Sequence, residues 1–292
     1  MKPIYLFPVL LLIFMSCKND KEERFKHDII GEWKFVKQID SVHHDYNGDI
    51  EEVTFLMSDF ICYKKGNYFG KNGFWDKKEG NNSVKYCGWD SKYKIYGDSL
   101  RVFVPVTKGW RSVKIHTLKG DTLVYDMGNK KYCLFERQHY KLNNEEQYDA
   151  IVVSSSGCYG TCPRSTVYVS NKGEVFFEGR ANTTVLGSFT ANIGIKGYNR
   201  LQDEFKKAGK PADYEEGDCI DAQLIVVSFI KDGKTVKKVS DCTTYMPTAF
   251  NAAYNHVLYL YQTVKLTKLE KPSPELEEFR FNPAPKFKPM GN

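Results

Sequence analysis

The sequence has no apolar run long enough to cross a bilayer. The stretch Ile4 to Met15 is about 12 residues against the ~20 a helix needs to span a ~30 Å hydrocarbon core. Charge of neither sign is clustered: the formal net charge of +6 is spread over 292 residues. No segment therefore reads as a nucleic-acid patch, and nucleic acid is excluded as the natural partner. Gly-x-Ser-x-Gly, His-Glu-x-x-His and a phosphate-binding glycine loop are all missing, which removes the hydrolase elbow, the zinc-peptidase helix and the nucleotide cradle. Between Ile29 and Arg137 almost nothing recurs at helical spacing, which excludes a helical bundle for that half.

What is present begins with an address. One lysine, the short apolar run, then Ser16 and Cys17 make a signal-peptide pattern over residues 1–16. A small residue before cysteine resembles the lipobox of bacterial lipoproteins, which implies that Cys17 is lipidated; an ordinary secretory signal is the other reading. The acidic-leaning run Lys18 to Glu23 resembles the export signal of Bacteroidota-type lipoproteins, which implies the outer membrane and its outer face; a solvated linker is the other reading. Residues 17–28 are accordingly expected to be a tether, and the membrane, through acyl chains on Cys17, a partner.

With 41% hydrophobic and 27% charged residues, the remainder suits one large or two modest domains. Short stretches rich in valine, tyrosine and phenylalanine fill residues 29–137. Asn47-Gly48 suits a tight hairpin, and Gly97-Asp98 and Gly120-Asp121 each precede a hydroxyl residue and a leucine that opens a strand. Strands at this density imply a sandwich or closed barrel. All four tryptophans, Trp33, Trp75, Trp89 and Trp110, lie here. They could fill an interior or line a pocket for a small apolar ligand, and Trp75, Trp89 and Trp110 are the pocket candidates. Gly31-x-Trp33 in "IIGEWKFVK", with "YCLFERQ" at the end, resembles the lipocalin-like domains of such lipoproteins. That resemblance implies an all-β barrel with Trp33 across its closed end and Arg137 over the ring. Cys62, Cys87 and Cys133 cannot all pair within this domain, so either one stays a thiol or one crosses to the second domain. His43 and His44, flanked by Asp40 and Asp45, read as a hairpin end rather than a metal site, because adjacent strand residues point to opposite faces.

Residues 138–147 are polar and aperiodic and read as a linker. Residues 148–266 read as a small α+β domain, mainly antiparallel sheet with two helices. A first helix is expected from Ile195, Tyr198, Leu201 and Phe205, and a second from Phe250, Tyr254, Val257 and Tyr261 behind Pro247. "AQLIVVSFIKDGKTVKKVSD" reads as a hairpin turning at Asp232-Gly233, which would set Cys242 opposite Gln223. Residues 267–292, rich in proline, read as a disordered tail that could dock on a partner.

The chemistry-bearing feature is "SGCYGTCPRS". A thioredoxin-type pair sits at a helix start, whereas the residues after Cys162 read as a strand, so the device that lowers a thiol pKa is missing. Cys-x-x-x-Cys-Pro resembles Sco-type copper-delivery proteins, which implies Cys158 and Cys162 with the distant His256 as copper ligands. A four-cysteine zinc site is disfavoured because Cys219 and Cys242 are singletons. In an oxidising compartment structural disulfides are the leading reading, and the four cysteines leave three connectivities open, the crossed ones included. Glu215, Glu216, Asp218 and Asp221 could hold calcium, but their spacing suits a solvated connection better. A cysteine nucleophile with His256 and Asp221 has nothing in the sequence to assemble it. "GCYGTCP", "GEVFFEG" and Asp221 near "CIDAQ" resemble a bacterial domain family of unknown function numbered 6438, over about residues 148–264. The family implies a fold and an export habit but no activity. Together these features give a lipid-anchored envelope protein acting as a non-catalytic binding or assembly module, without a cofactor; the alternative is a thiol-redox or copper-handling protein working through Cys158 and Cys162.

Overall fold

The computed structural model describes residues 20–40, 57–77, 84–158, 160–209, 222–242 and 248–280. Cys17, His43, His44, Asp45, Asn47-Gly48, Cys219, Glu215, Glu216, Asp218, Asp221 and Pro247 fall outside them, as does the end of the chain after Arg280. The chain splits into two compact units between Tyr140 and Lys141.

The first unit opens with a helix over residues 20–28, α1, and continues as β1 (Gly31–Asp40), β2 (Phe60–Tyr63), β3 (Asn67–Gly70), β4 (Trp75–Lys77), β5 (Val84–Tyr86), β6 (Asp90–Tyr96), β7 (Ser99–Val104), β8 (Gly109–Lys119), β9 (Thr122–Asp126) and β10 (Lys131–Gln138). Eight strands close into an antiparallel barrel in the order β1-β10-β9-β8-β7-β6-β3-β2, while β4 and β5 pair as a separate hairpin. Gly97 and Gly120 take φ of +60° and +56°, the left-handed values that let β6–β7 and β8–β9 turn tightly. The leucines after those turns point inward, Leu100 at 1% exposure and Leu123 at 0%.

Aromatic side chains fill the barrel. Phe60 stacks on Tyr68 at 5.4 Å and Tyr125 at 6.1 Å and meets Phe135 edge-on at 5.5 Å. The entry segment belongs to this core: Phe25 and Ile29, one helical turn apart, are 3% and 0% exposed and pack with Trp33. Residues 20–28 are thus a docked helix rather than a loose tether. Burial of these two side chains contributes about 3–6 kcal/mol as an upper bound, which outweighs the polar character of the rest of the segment.

The second unit is built on β11 (Ala150–Ser155), β12 (Arg164–Ser170), β13 (Glu174–Ala181), β14 (Gly187–Asn192), α2 (Gly194–Lys207), β15 (Ile225–Lys231), β16 (Lys234–Asp241), α3 (Thr248–Leu258) and β17 (Thr267–Lys268). The strands form one antiparallel sheet ordered β16-β15-β11-β12-β13-β14-β17. Both helices cover one face, with Phe205 edge-on to Phe229 at 5.3 Å and to Phe250 at 5.4 Å, and Tyr261 stacked on Phe177 at 4.3 Å. Tyr198, Leu201 and Phe205 are buried as the periodicity predicts, but Ile195, at the first turn of α2, is 60% exposed.

The β15–β16 hairpin turns at Asp232-Gly233, both at positive φ. Its register starts at Lys231↔Lys234, but a bulge lets Phe229 face Lys237, and the ladder ends at Ile225↔Asp241. Cys242 therefore follows the last pair by one position and does not lie opposite Gln223. The bulge takes in Val236, which is 53% exposed and has no packing to hold it in register.

Residues 267–280 are ordered, against the expectation of a disordered tail. β17 pairs with β14, Leu276 in the 3₁₀ turn Pro274–Phe279 is fully buried, and Phe279 packs against Ala150, Val152 and Ile230 on the sheet face opposite the helices.

Candidate functional site

The loop between β11 and β12 carries the cysteine pair. β11 is buried on both faces, and the chain leaves it at Ser155 and turns back into the adjacent antiparallel strand β12 at Arg164. Cys158 and Cys162 bridge this turn in a disulfide, with Cα atoms 5.5 Å apart. That bond removes the crossed connectivities. Cys242 is also disulfide-bonded, and its partner lies outside the described residues.

Buried polar groups hold the base of the loop. Ser155, fully buried, donates from Oγ to the Pro163 carbonyl at 2.8 Å and accepts the Ser165 N–H at 3.1 Å. Gln223 Nε2 donates to the Pro163 carbonyl at 2.5 Å and the Ser156 carbonyl at 3.3 Å. The Ser156 hydroxyl accepts the Leu224 N–H at 2.9 Å, and Asn182 Nδ2 donates to the Cys162 carbonyl at 3.2 Å. The Ser156, Cys162 and Pro163 carbonyls at the base of the loop thus each have a side-chain donor. The tip is more open: Gly160 and Thr161 are exposed, and the Gly160 N–H points at Cys158 Sγ at 3.3 Å. β12 begins directly after Pro163, so neither sulfur sits at a helix N-terminus.

Three arginines gather near the start of β12, where the loop rejoins the sheet, and sequence reasoning missed them because they are far apart in the chain. Arg164 opens β12, Arg180 is next to last in β13 and donates to Thr166 Oγ1 at 3.0 Å, and Arg280 bonds Glu178 at 2.8 Å. Burial, and then the charges of Arg164 and Arg280, hold the Arg180 pKa below the usual guanidinium range, while Glu178 pulls it back up. Gly179 makes room for the neighbouring turn, because a Cβ there would strike the Val185 carbonyl and Thr183 Oγ1.

His256, the distant copper candidate, is 2% exposed on α3. With Cys158 and Cys162 oxidised, neither offers a thiolate to a metal. Among the described residues, no group of three or more His, Cys, Asp or Glu side chains is placed to hold one.

In the barrel, Trp33 and Arg137 come together. The guanidinium carbon lies 4.4 Å from the Trp33 ring centroid, the indole N–H donates to the Ile29 carbonyl at 2.8 Å, and Arg137 also donates to the Ile30 and Asp28 carbonyls where α1 ends. Gly31 fits this latch at φ +144°, since a Cβ would lie 2.5 Å from Arg137 Nη1. The other tryptophans lie elsewhere. Trp75 packs on Tyr86 within the β4–β5 hairpin at 4.7 Å, and Trp89 covers Phe69 at 4.5 Å. Trp110 is 36% exposed on the barrel's outer surface, edge-on to Phe103 and with Lys94 Nζ 4.7 Å above its ring. The interior is filled instead by phenylalanine and tyrosine together with Trp33.

Cys62, Cys87 and Cys133 are all thiols, so neither a single leftover thiol nor a crossing bridge describes them. Register explains the two buried ones: Cys62 faces Gly31 and Cys133 faces Gln38, at opposite ends of β1, whereas a disulfide needs Cα atoms within ~7 Å. Burial pushes the Cys62 thiol well up, and the half-buried Cys87 rises less, also chiefly through burial.

No curated protein sequence matches the chain. The model of one family, described as a domain of unknown function (DUF6438), matches residues 149–261: a DUF6438 domain is found in the second unit, with the disulfide loop inside it.

Proposed function

We propose that this is a lipid-anchored cell-envelope protein whose second unit is a non-catalytic binding or assembly module presenting the Cys158–Cys162 loop. The oxidised loop is the observation that carries this reading. A disulfide on a half-exposed turn persists in an oxidising compartment and is reduced in a cytosolic one, in keeping with the export pattern at residues 1–17.

The test combines two measurements on cells expressing the full chain. Metabolic labelling with a fatty acid should mark the wild type and not Cys17→Ala. Alkylation of the native protein without reduction should leave Cys158, Cys162 and Cys242 unlabelled in the intact mass. Wild-type protein that takes no label removes the lipid anchor.

The Gly160 N–H aimed at Cys158 Sγ favours a second reading, thiol exchange at this loop, because a backbone donor stabilises a thiolate formed there. Recovery of the pair as alkylatable thiols from cells would replace the first reading with this one. A copper ion carried in the native mass would do the same for copper handling.

A further inference from the structure

We propose that the closed end of the barrel is a membrane-contact surface, seating the turn Tyr63–Lys65 and the side chain of Tyr96 in the headgroup layer of an anionic bilayer. The proposal rests on Cys17 being the lipidated residue. Cys17 precedes Asp20, already in α1, by three positions, and three extended residues reach only about 10 Å. The first turn of α1 is itself pinned, since Glu22 Oε2 accepts the Gly97 N–H of the β6–β7 turn at 2.8 Å. Phe25 and Ile29 plug the same end of the barrel. An acyl-bearing Cys17 therefore holds this end, and no other, within reach of the headgroups.

The side chains exposed there match such a surface. Tyr96, next to Gly97, is 73% exposed, the most open large hydrophobic side chain among the described residues, and Tyr63 is 38% exposed. Tyr93 Oη donates to the Tyr63 carbonyl at 3.1 Å, which ties the Tyr63 turn to β6 a few residues before Tyr96. Lys64 and Lys65 are exposed beside Tyr63, and Lys65 at φ +64° shares a left-handed turn with Gly66. Tyrosines with apolar bodies and polar tips collect at the headgroup layer, and each lysine near an anionic surface strengthens partitioning by about five-fold. Of the carboxylates nearby, Glu22 is held by Gly97 and Lys26, Glu23 by Lys26, Asp98 by the Ser99 hydroxyl and Asp121 by Arg137 and His139, while Asp20 is exposed at the start of α1.

The experiment uses the chain from residue 17 onward carrying Cys17→Ser and an N-terminal hexahistidine tag. The protein is tethered to vesicles of nickel-chelating lipid in phosphatidylglycerol or in phosphatidylcholine. Amine labelling of Lys64 and Lys65 is read against Lys108, exposed in the β7–β8 turn at the other end of the barrel. On phosphatidylglycerol, Lys64 and Lys65 should label at least about three-fold more slowly than in solution while Lys108 is unchanged, and Tyr63→Ser/Tyr96→Ser should lose most of that protection. Tryptophan fluorescence should report that the barrel stays folded in that variant, since Tyr63 and Tyr96 are exposed. Equal labelling of all three lysines in solution and on both vesicles overturns the proposal. The outcome is separable from the anchor: fatty-acid incorporation at Cys17 without protection removes the contact surface alone, and protection without incorporation removes the anchor alone.

Discussion

Replacing Arg137 by alanine should cost the barrel about 3–4 kcal/mol, and the estimate follows from what the guanidinium touches. It faces the Trp33 ring at 4.4 Å, a cation–π contact worth about 0.5–2 kcal/mol at a site only 18% exposed. It also donates to the Ile30 and Asp28 carbonyls at the end of α1, and hydrogen bonds of charged groups contribute about 1.5–3 kcal/mol each. These terms share one side chain and do not add fully, hence the total. Its contact with Asp121, whose side chain is 62% exposed, adds little. For a unit of this size the loss should lower Tm by about 10–15 °C.

The assay is selective, because all four tryptophans lie in the first unit and their fluorescence follows the barrel alone. Arg137→Lys keeps a charge over the ring but not the planar fork, and should lose about half as much. Gly31→Ala supplies a coupling test. On its own it costs about 1–2 kcal/mol for the positive φ, plus displacement of Arg137. In the Arg137→Ala background the displacement cost vanishes, so the double variant should be more stable than the sum of the singles predicts. Full additivity, or an Arg137→Ala loss below about 1 kcal/mol, would refute the latch.

Other expectations can be checked on the same protein. Cys158→Ser/Cys162→Ser should destabilise the second unit by about 2 kcal/mol, the loop-entropy value for so short a ring, and leave tryptophan fluorescence unchanged; a shift in the fluorescence transition contradicts this. In native alkylation at mildly alkaline pH, Cys87 should react first and Cys62 and Cys133 only on unfolding, because burial raises the Cys62 pKa the more and closes both thiols to reagent; uniform labelling sinks the assignment. Asp59 has its pKa raised, first by burial, so its contribution is present below the ordinary aspartate value and is lost as pH climbs through the raised one. Asp59→Asn keeps an acceptor for the Phe35 N–H and should flatten that decline; a steeper decline toward neutral pH counts against it. Leu276→Ala should cost about 2–5 kcal/mol if residues 267–280 are part of the fold, and nothing if they are a loose tail.

The parts of the fold legible in the sequence are those set by local chemistry. Gly97, Gly120 and Asp232-Gly233 mark turns because few other residues take their φ. The stripe Phe250, Tyr254, Val257 and Tyr261 is buried throughout, because helical spacing leaves those side chains no other face. α1 escaped notice because only Phe25 within it and Ile29 just after it are apolar, too few to register as a period, though enough once a barrel end receives them. Trp110 shows the converse: residue type says that a side chain packs, while only register says on which side. Trp110 alternates with Val113 and Ile115 and so faces outward. At the candidate site, the cysteine spacing pointed to the loop, but Arg180 and Arg280 come near Arg164 only through the sheet, and no local pattern names them.

The final segment shows how a polar sequence can be ordered. Strand register lines up Ser154, Thr166, Glu178 and Ser188 as one row across four strands, and all are at most 9% exposed. A hydrophobic cover would leave this row unsatisfied at about 1–3 kcal/mol per group. The chain instead returns with matching groups: the Phe279 carbonyl accepts from Ser154 Oγ at 2.9 Å, Arg280 pairs with Glu178, and Leu276 and Phe279 supply the apolar contact. Low hydrophobicity argues for disorder only when the receiving surface is apolar, and here it is not. The family match stops at residue 261, yet cutting the chain there would remove the cover from Ala150, Val152 and Ile230 and leave Glu178 buried without Arg280. In this protein the folded unit therefore extends at least to Arg280, and the row under the cover is polar because its partner is.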